Sequence, residues 1–157
     1  MSEIYAMAGH LVRRLNQIST AIFAERMTAL EVELTPVQYA ALATIRENPG
    51  MDQASLAGAI AYDKATIGGV VDRLASKGLI LRRPSPTDRR ARALEITEAG
   101  LTLLARVDPV VRALQDDILA GLDAEEKAQL LTLLTKTTEA GNTLSRAPLR
   151  RRAKAET

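Results

Sequence analysis

The 157-residue sequence predicts a mainly α fold: a winged helix-turn-helix with a two-stranded β-wing, flanked by N- and C-terminal dimerisation helices. Three observations carry that expectation. Ile67, Val70, Val71 and Leu74 recur at i, i+3, i+4 and i+7, the spacing of an amphipathic helix, and Gly78 follows where a left-handed residue ends one. The apolar run Leu79-Ile80-Leu81 and the alternating residues Ala93, Leu94, Glu95 and Ile96 bracket a turn-rich stretch, so a hairpin follows that helix. Apolar stripes of helical period then occupy both ends of the chain.

Taken in order, Ile4, Met7, Leu11, Leu15, Ile18 and Ile22 form a stripe that predicts one long helix over residues 2–31. A helix of that length in so small a protein needs a partner for its stripe, and a second copy of the chain is a plausible one. Thr35 caps a second helix with Pro36 at its first position, where a missing N–H costs nothing. It runs through Tyr39, Leu42 and Ile45 and stops at Asn48-Pro49-Gly50. Asp52 opens a short third helix whose Leu56 and Ile60 face inward, although Gly58 within it costs intrinsic helicity. A brief turn at Ala61 and Tyr62 leads to the fourth helix, capped by Asp63, and the two short helices make a helix-turn-helix. After the hairpin, Thr97 caps a long helix carrying Leu101, Leu104, Val107, Val111, Leu114 and Ile118, which Pro109 should kink. Asp123 and Glu126 form a capping box for a last helix with Leu130, Leu131, Leu133 and Leu134. From Thr143 onward the chain is polar, basic and proline-interrupted, which predicts a loose tail. The expected division is a dimerisation region at 1–34 and 98–145, a winged helix-turn-helix at 35–97 and a basic flexible tail at 146–157.

Composition narrows the chemistry. Hydrophobic residues make up 46% of the chain, ample for a core, and a net charge of +2 is too balanced to argue for nucleic acid by itself. Its distribution says more, because cations gather in the hairpin and in the RAPLRRRAK segment near the C-terminus. With no cysteine and only His10, thiolate metal sites, multi-histidine metal sites and disulfides are excluded, and no cofactor or metal is expected. No carboxylate pair lies near His10 in sequence, and Gly68-Gly69 falls inside a helical pattern rather than in a phosphate loop, so an enzyme is not expected. No apolar run is long enough to span a bilayer, and the N-terminus lacks a basic segment followed by an apolar one. A cytoplasmic protein with no membrane partner is expected.

The outward face of the fourth helix carries Ala65, Thr66, Gly69, Arg73 and Ser76, small residues plus one long cation, which suits a surface pressed into a major groove. Asp63 and Lys64 at its start, with Gln53 and Ser55 on the third helix, complete the expected DNA-facing set. In the hairpin, Pro84, Ser85, Pro86, Thr87 and Asp88 supply turn chemistry. Arg82, Arg83, Arg89, Arg90 and Arg92 crowd against a single nearby acid, Asp88, enough cation to follow a phosphate backbone. A solvated charged loop is the plainer reading of an isolated arginine-rich turn. Its attachment to a capped helix with a smooth outer face favours DNA.

A second set lies on the first helix. His10, Arg14, Gln17 and Ala21 share one flank of its stripe, and Tyr39 on the second helix is an aromatic able to close a pocket there. Arg14 suits bidentate pairing with a carboxylate, His10 donates or accepts beside it, and Gln17 reads a hydroxyl or ring heteroatom. Equally, these are interface or surface residues, with Arg14 paired to an acid of a second copy.

The run DRLASKGLILRRPSPTDRRARALEITEAG, preceded by LTPVQYAALATIRENPG and a long N-terminal helix, strongly resembles the MarR family of bacterial winged-helix regulators, over nearly the whole chain to about Leu144. The wing, with D-R-R, a strand ending in Thr and a helix opening E-A-G, is the most specific part. The resemblance implies a triangular homodimer built on the terminal helices and a pseudo-palindromic double-stranded DNA operator. It places the fourth helix in the major groove and Arg90 in the minor groove, with Asp88 holding Arg90 in place. It also implies a small aromatic or pyridine carboxylate effector between the dimerisation helices and the winged domain, since the chain has no thiol for oxidant sensing. MAGHLVRRLNQISTAIFAERM further resembles repressors of nicotinate or related aromatic-acid degradation. A repressor relieved by such an acid is the leading expectation. An activator, a ligand-independent regulator of the same fold and a protein-interaction adaptor are the alternatives.

Overall fold

The computed structural model describes residues 2–151. Its α-helices are α1 (Ala8–Ala29), α2 (Pro36–Glu47), α3 (Gln53–Ala59), α4 (Lys64–Ser76), α5 (Glu98–Ile118) and α6 (Ala124–Ala140). Strands β1 (Ile80–Pro84) and β2 (Arg92–Ile96) form the wing, and single 3-10 turns stand at Glu3–Ala6 and Asn142–Leu144. Side chains fix where most helices start. Thr35 accepts from the Gln38 N–H at 3.2 Å while Gln38 Oε1 accepts from the Thr35 N–H at 3.1 Å, a complete capping box. Asp52, Asp63 and Thr97 cap α3, α4 and α5 through the N–H groups of Ser55, Thr66 and Gly100. Asp123 and Glu126 cap α6 reciprocally, each bond 2.9 Å. α4 ends as its composition requires, with Gly78 at φ +72°.

The antiparallel wing pairs Ile80 with Ile96 and Pro84 with Arg92. Its base is tied to the loop before α3, since the Leu94 N–H donates to Met51 O (2.8 Å) and the Gly50 N–H to Leu94 O (2.9 Å). Two apolar clusters share α5. Leu42, Ile45, Leu56, Ile67, Val71, Leu74, Ile80, Leu94 and Leu104 fill the winged domain, and Phe23, Met27, Leu34, Val107, Val111 and Leu114 join α1 to α5. Tyr39 packs against both. At the seam, buried Asp108 accepts from Tyr39 Oη (3.0 Å) and from Arg46 Nη1 (2.7 Å), so a polar knot ties α2 to α5. Thr97 closes the other end of α5 against the wing. Its hydroxyl donates to Gly78 O at 2.7 Å and its N–H to Leu79 O at 3.0 Å. The approach is close enough that a Cβ on Gly100 would collide with the Leu79 carbonyl and stand 2.6 Å from Ile96 Cγ1.

The structure departs from expectation at both ends. The predicted helix over 2–31 is broken at Met7, whose backbone is extended (φ −76°, ψ 131°), and α1 begins at Ala8. The break folds the 3-10 turn back so that the Tyr5 ring meets His10 edge-on, centroids 5.7 Å apart. Five residues along a continuous helix those rings would face nearly opposite sides. α1 then stops at Ala29, where Glu31 turns left-handed (φ 55°) and the Val32 N–H returns to Met27 O. Pro109, expected to kink α5, lies inside a helix that runs on to Ile118. Nor is the segment after α6 loose throughout. Asn142 donates to Leu149 O (3.0 Å) and accepts from the Leu149 N–H (2.7 Å), and the Arg150 N–H donates to Gly58 O on α3 (2.8 Å). Residues 152–157 of the predicted tail lie outside the described residues.

The terminal helices keep apolar surface open. α6 buries none of its residues, and Leu131 and Leu133 are exposed, as are Ile4, Met7, Leu11, Val12 and Ile18 at the N-terminal end. Among the described residues no helix is long and apolar enough to cross a membrane.

Candidate functional site

The helix-turn-helix presents one open face. Ile67, Val70, Val71 and Leu74 are buried, which turns Lys64, Ala65, Thr66, Gly69 and Arg73 of α4 to solvent. Asp63 is held by Thr66 twice, through the backbone N–H (2.8 Å) and the hydroxyl (2.8 Å). The backbone bond first, then the hydroxyl, holds its carboxyl below the ordinary carboxylate range. Its role is to start α4 and fix the Thr66 rotamer, leaving the hydroxyl oxygen free to accept from a base edge. On α3, Asp52 holds the Ser55 N–H, and Gln53 lies over Gly68, its Nε2 3.5 Å from where a Cβ would stand.

The wing's five arginines separate into two groups. Arg83 Nε donates to Glu95 at 2.7 Å and Arg82 Nη1 to Asp72 at 2.6 Å. The expectation of one nearby acid is therefore corrected, for a geometric reason. The register sets Leu81 opposite Glu95, which makes Arg83 its diagonal neighbour, and Arg82 reaches back to α4. Arg89, Arg90 and Arg92, at and beside the tip, have no ion-pair partner among the described residues. Asp88 does not pair with the Arg90 guanidinium; its Oδ1 accepts the Arg90 backbone N–H at 2.9 Å, while Ser85 Oγ accepts the N–H groups of Thr87 and Asp88 at 3.3 Å. The acid shapes the tip and leaves the cation available. Between tip and helices lies a cleft of about 450 Å³ lined by Asp52, Gln53, Ala54, Lys64, Asp88, Arg90, Ala91 and Arg92. Both of its acids accept backbone N–H groups, and neither forms an ion pair with the cleft's cations among the described residues.

On α1 the structure assembles a cluster that differs from the expected one. Arg13 donates to Gln17 Oε1 at 3.1 Å and stands 3.4 Å from His10 Nδ1, whereas Arg14 makes no such contact among the described residues; both arginines are exposed. Positions 10, 13 and 17 sit at i, i+3 and i+7, which brings Arg13 beside both neighbours at once. Tyr39 does not join them within one protomer. It packs against Phe23, ring centroids 6.2 Å apart, and donates its hydroxyl to Asp108. Thirteen residues of helix separate Phe23 from His10, about 20 Å. The aromatic at the cluster is instead Tyr5. His10 Nε2 is shielded from solvent and has no hydrogen-bond partner among the described residues. Burial first, then the bond to Asp108, pushes the Tyr39 phenol above its ordinary value, and the Asp108 bond raises Arg46. Sequence reasoning missed Asp108 and Arg46, although a carboxylate one step from Val107 on an apolar stripe is a signal that it is paired.

A model of the MarR family matches residues 34–91. Over 134 residues the chain is 37% identical to the HTH-type transcriptional repressor NicR of Pseudomonas putida, covering 85% of this chain and 84% of that protein. Among solved structures it resembles that of Bordetella bronchiseptica BpsR, described as showing how 6-hydroxynicotinic acid regulates its DNA binding. The TM-score is 0.80 at 28% identity, over 85% of this chain and 94% of that one. The transcriptional repressor CouR, bound to a 23-mer DNA duplex, matches with TM-score 0.76 and 27% identity over 88% of this chain and 96% of that one.

Proposed function

Because the chain belongs to the MarR family, we propose that it is a homodimeric transcriptional repressor that binds a pseudo-palindromic operator and is released by a small aromatic or pyridine carboxylate. The observation that carries the DNA reading is the outward face of α4, small-residued and flanked by tip arginines that make no ion pair among the described residues. Thr66, Gly69 and Arg73 supply sequence preference in the major groove, and Arg90, with Arg89 and Arg92, supplies charge that follows groove width and phosphate. The open apolar faces of α1 and α6 are covered by a second copy, which fixes the spacing of the two α4 helices.

The effector site centres on His10, Arg13 and Gln17, with the Tyr5 ring edge-on to His10 and His10 Nε2 left to be reached when the shielding around it opens. Arg13 pairs with the carboxylate. That the repressor NicR is a relative and that 6-hydroxynicotinic acid acts on BpsR favour a hydroxylated pyridine carboxylate. Coupling is built into α5, which packs on α1 at one end and holds the turn after α4 through Thr97 at the other. An acid that binds better when α1 and α5 have shifted draws the dimer away from the operator-competent arrangement.

The test is titration of the chain into a labelled duplex from its own promoter region, with and without 6-hydroxynicotinate, nicotinate, benzoate, salicylate and hydroxycinnamate. Tight, salt-steep binding that one of these acids reverses is expected. Equal binding to promoter and scrambled duplexes would remove the repressor reading, and binding unmoved by every acid would remove the effector.

A further inference from the structure

Two features have no part in the site above: Gly58 inside α3, and the arginines after α6. They meet. The Asn142–Leu149 clasp turns the chain back from α6, and the Arg150 N–H bonds Gly58 O at 2.8 Å. A Cβ at residue 58 would stand 3.1 Å from Arg150 Cβ, so the glycine that weakens α3 is what lets the tail lie on it. Pro148 and Ala147 follow the same surface. Together with Arg146 and Arg150 they face Tyr62, Asp63 and Lys64 across a cleft at the start of α4.

That cleft adjoins the one beneath the wing, because Ala54 and Lys64 line both. Cations therefore run in one band: Arg90 and Arg92 on the wing side, Lys64 in the middle, and Arg146 and Arg150 on the tail side. The acids along this band are Asp52, Asp63, Asp88 and, beside Arg150 and Arg151, Glu47. Asp52, Asp63 and Asp88 each accept backbone N–H groups, and Arg151 reaches Glu139 at 3.6 Å. No ion-pair partner for Arg146 or Arg150 exists among the described residues, and both are exposed. Arg146 also lies near enough to Asp63 to help lower its pKa.

We propose that residues 145–151 form a basic clamp on α3 that binds the duplex backbone beside the start of α4, opposite the wing. The wing and the clamp then hold phosphates on the two sides of the reading helix. The proposal rests on the DNA-binding reading. Backbone binding of this kind adds affinity for every sequence and steepens the salt dependence, without altering which bases are preferred.

The experiment compares the full chain with the Arg146→Ala/Arg150→Ala variant and with Asn142→Ala, which releases the clasp but keeps both charges. The probes are a random-sequence duplex of about 30 base pairs, three helical turns, and a duplex selected by the wild-type chain from a random pool, each titrated over a range of salt. The double variant should weaken binding to both duplexes by a similar factor and flatten the log–log salt slope by about 0.9 for each phosphate that a protomer no longer neutralises. Asn142→Ala should shift in the same direction, to a smaller extent. Thermal unfolding checks that both variants fold. An unchanged salt slope in a double variant that folds overturns the clamp, as does tighter binding, which would make the tail a shield. Arg90→Ala run alongside separates the two readings. If it weakens binding while the double variant does not, the clamp fails and the DNA reading stands. If the wild-type chain selects no duplex from the pool and does not bind the random-sequence one, both fail.

Discussion

Replacing Asp108 by Ala removes two hydrogen bonds at the seam between α2 and α5, from Tyr39 Oη at 3.0 Å and Arg46 Nη1 at 2.7 Å. A hydrogen bond to a charged group contributes about 1.5–3 kcal/mol, and breaking a fully buried ion pair costs about 3–5 kcal/mol. The side chains of Asp108 and Arg46 are 12% and 30% exposed, so water re-solvates part of what is stranded. The expected loss is therefore roughly 2–4 kcal/mol, or roughly 4–16 °C in Tm for a chain of this size. Asp108→Asn keeps the volume and an acceptor for Tyr39 and should lose about half as much. Tyr39→Phe should cost about 1 kcal/mol in the wild type and almost nothing beside Asp108→Ala, because the two share one bond. Urea unfolding at fixed protein concentration measures all four, the concentration being held because dimer formation feeds into apparent stability. An Asp108→Ala variant within about 0.5 kcal/mol of wild type, the spread of ordinary surface substitutions, would show that the knot does not hold α2 to α5.

Other expectations follow from the site residues. His10→Ala and Arg13→Ala should leave duplex affinity unchanged while raising the concentration of aromatic acid needed for release at least tenfold, whereas Arg14→Ala should respond nearly as wild type does; release assays on the three variants decide between neighbouring arginines. Asp63 is held below the ordinary carboxylate range by Thr66, so its contribution to stability is present above that range and is lost as pH falls through the lowered value. Asn is an equally good cap that does not titrate. Urea unfolding between neutral and strongly acid pH should therefore show Asp63→Asn losing less stability than wild type, and parallel pH profiles would contradict the cap.

Most of the fold was legible because local chemistry and the helical period point the same way. Thr35, Asp52, Asp63, Thr97 and Asp123 each cap the helix that the pattern places after them. Within the candidate site, the outward face of α4 followed from the burial of Ile67, Val70, Val71 and Leu74. What the sequence hid are interactions between segments far apart along it. Glu95 neutralises Arg83 only because of the strand register, and Asp72 reaches Arg82 only because the wing leans on α4. The fold-back at Met7 that brings Tyr5 to His10 carries no capping side chain to announce it. Gly58 reads as a weak point in α3 until the tail is placed on it.

The central claim is that the wing tip and the outer face of α4 together hold a DNA duplex. Its most direct measurement is the affinity of Arg90→Ala for a duplex selected by the wild-type chain, at fixed salt. Arg90 has no acid partner for its guanidinium among the described residues, and its backbone N–H is fixed by Asp88, so the substitution removes charge without disturbing the turn. A loss of at least tenfold, about 1.4 kcal/mol, is predicted. Unchanged affinity in a variant that folds as wild type does would contradict it.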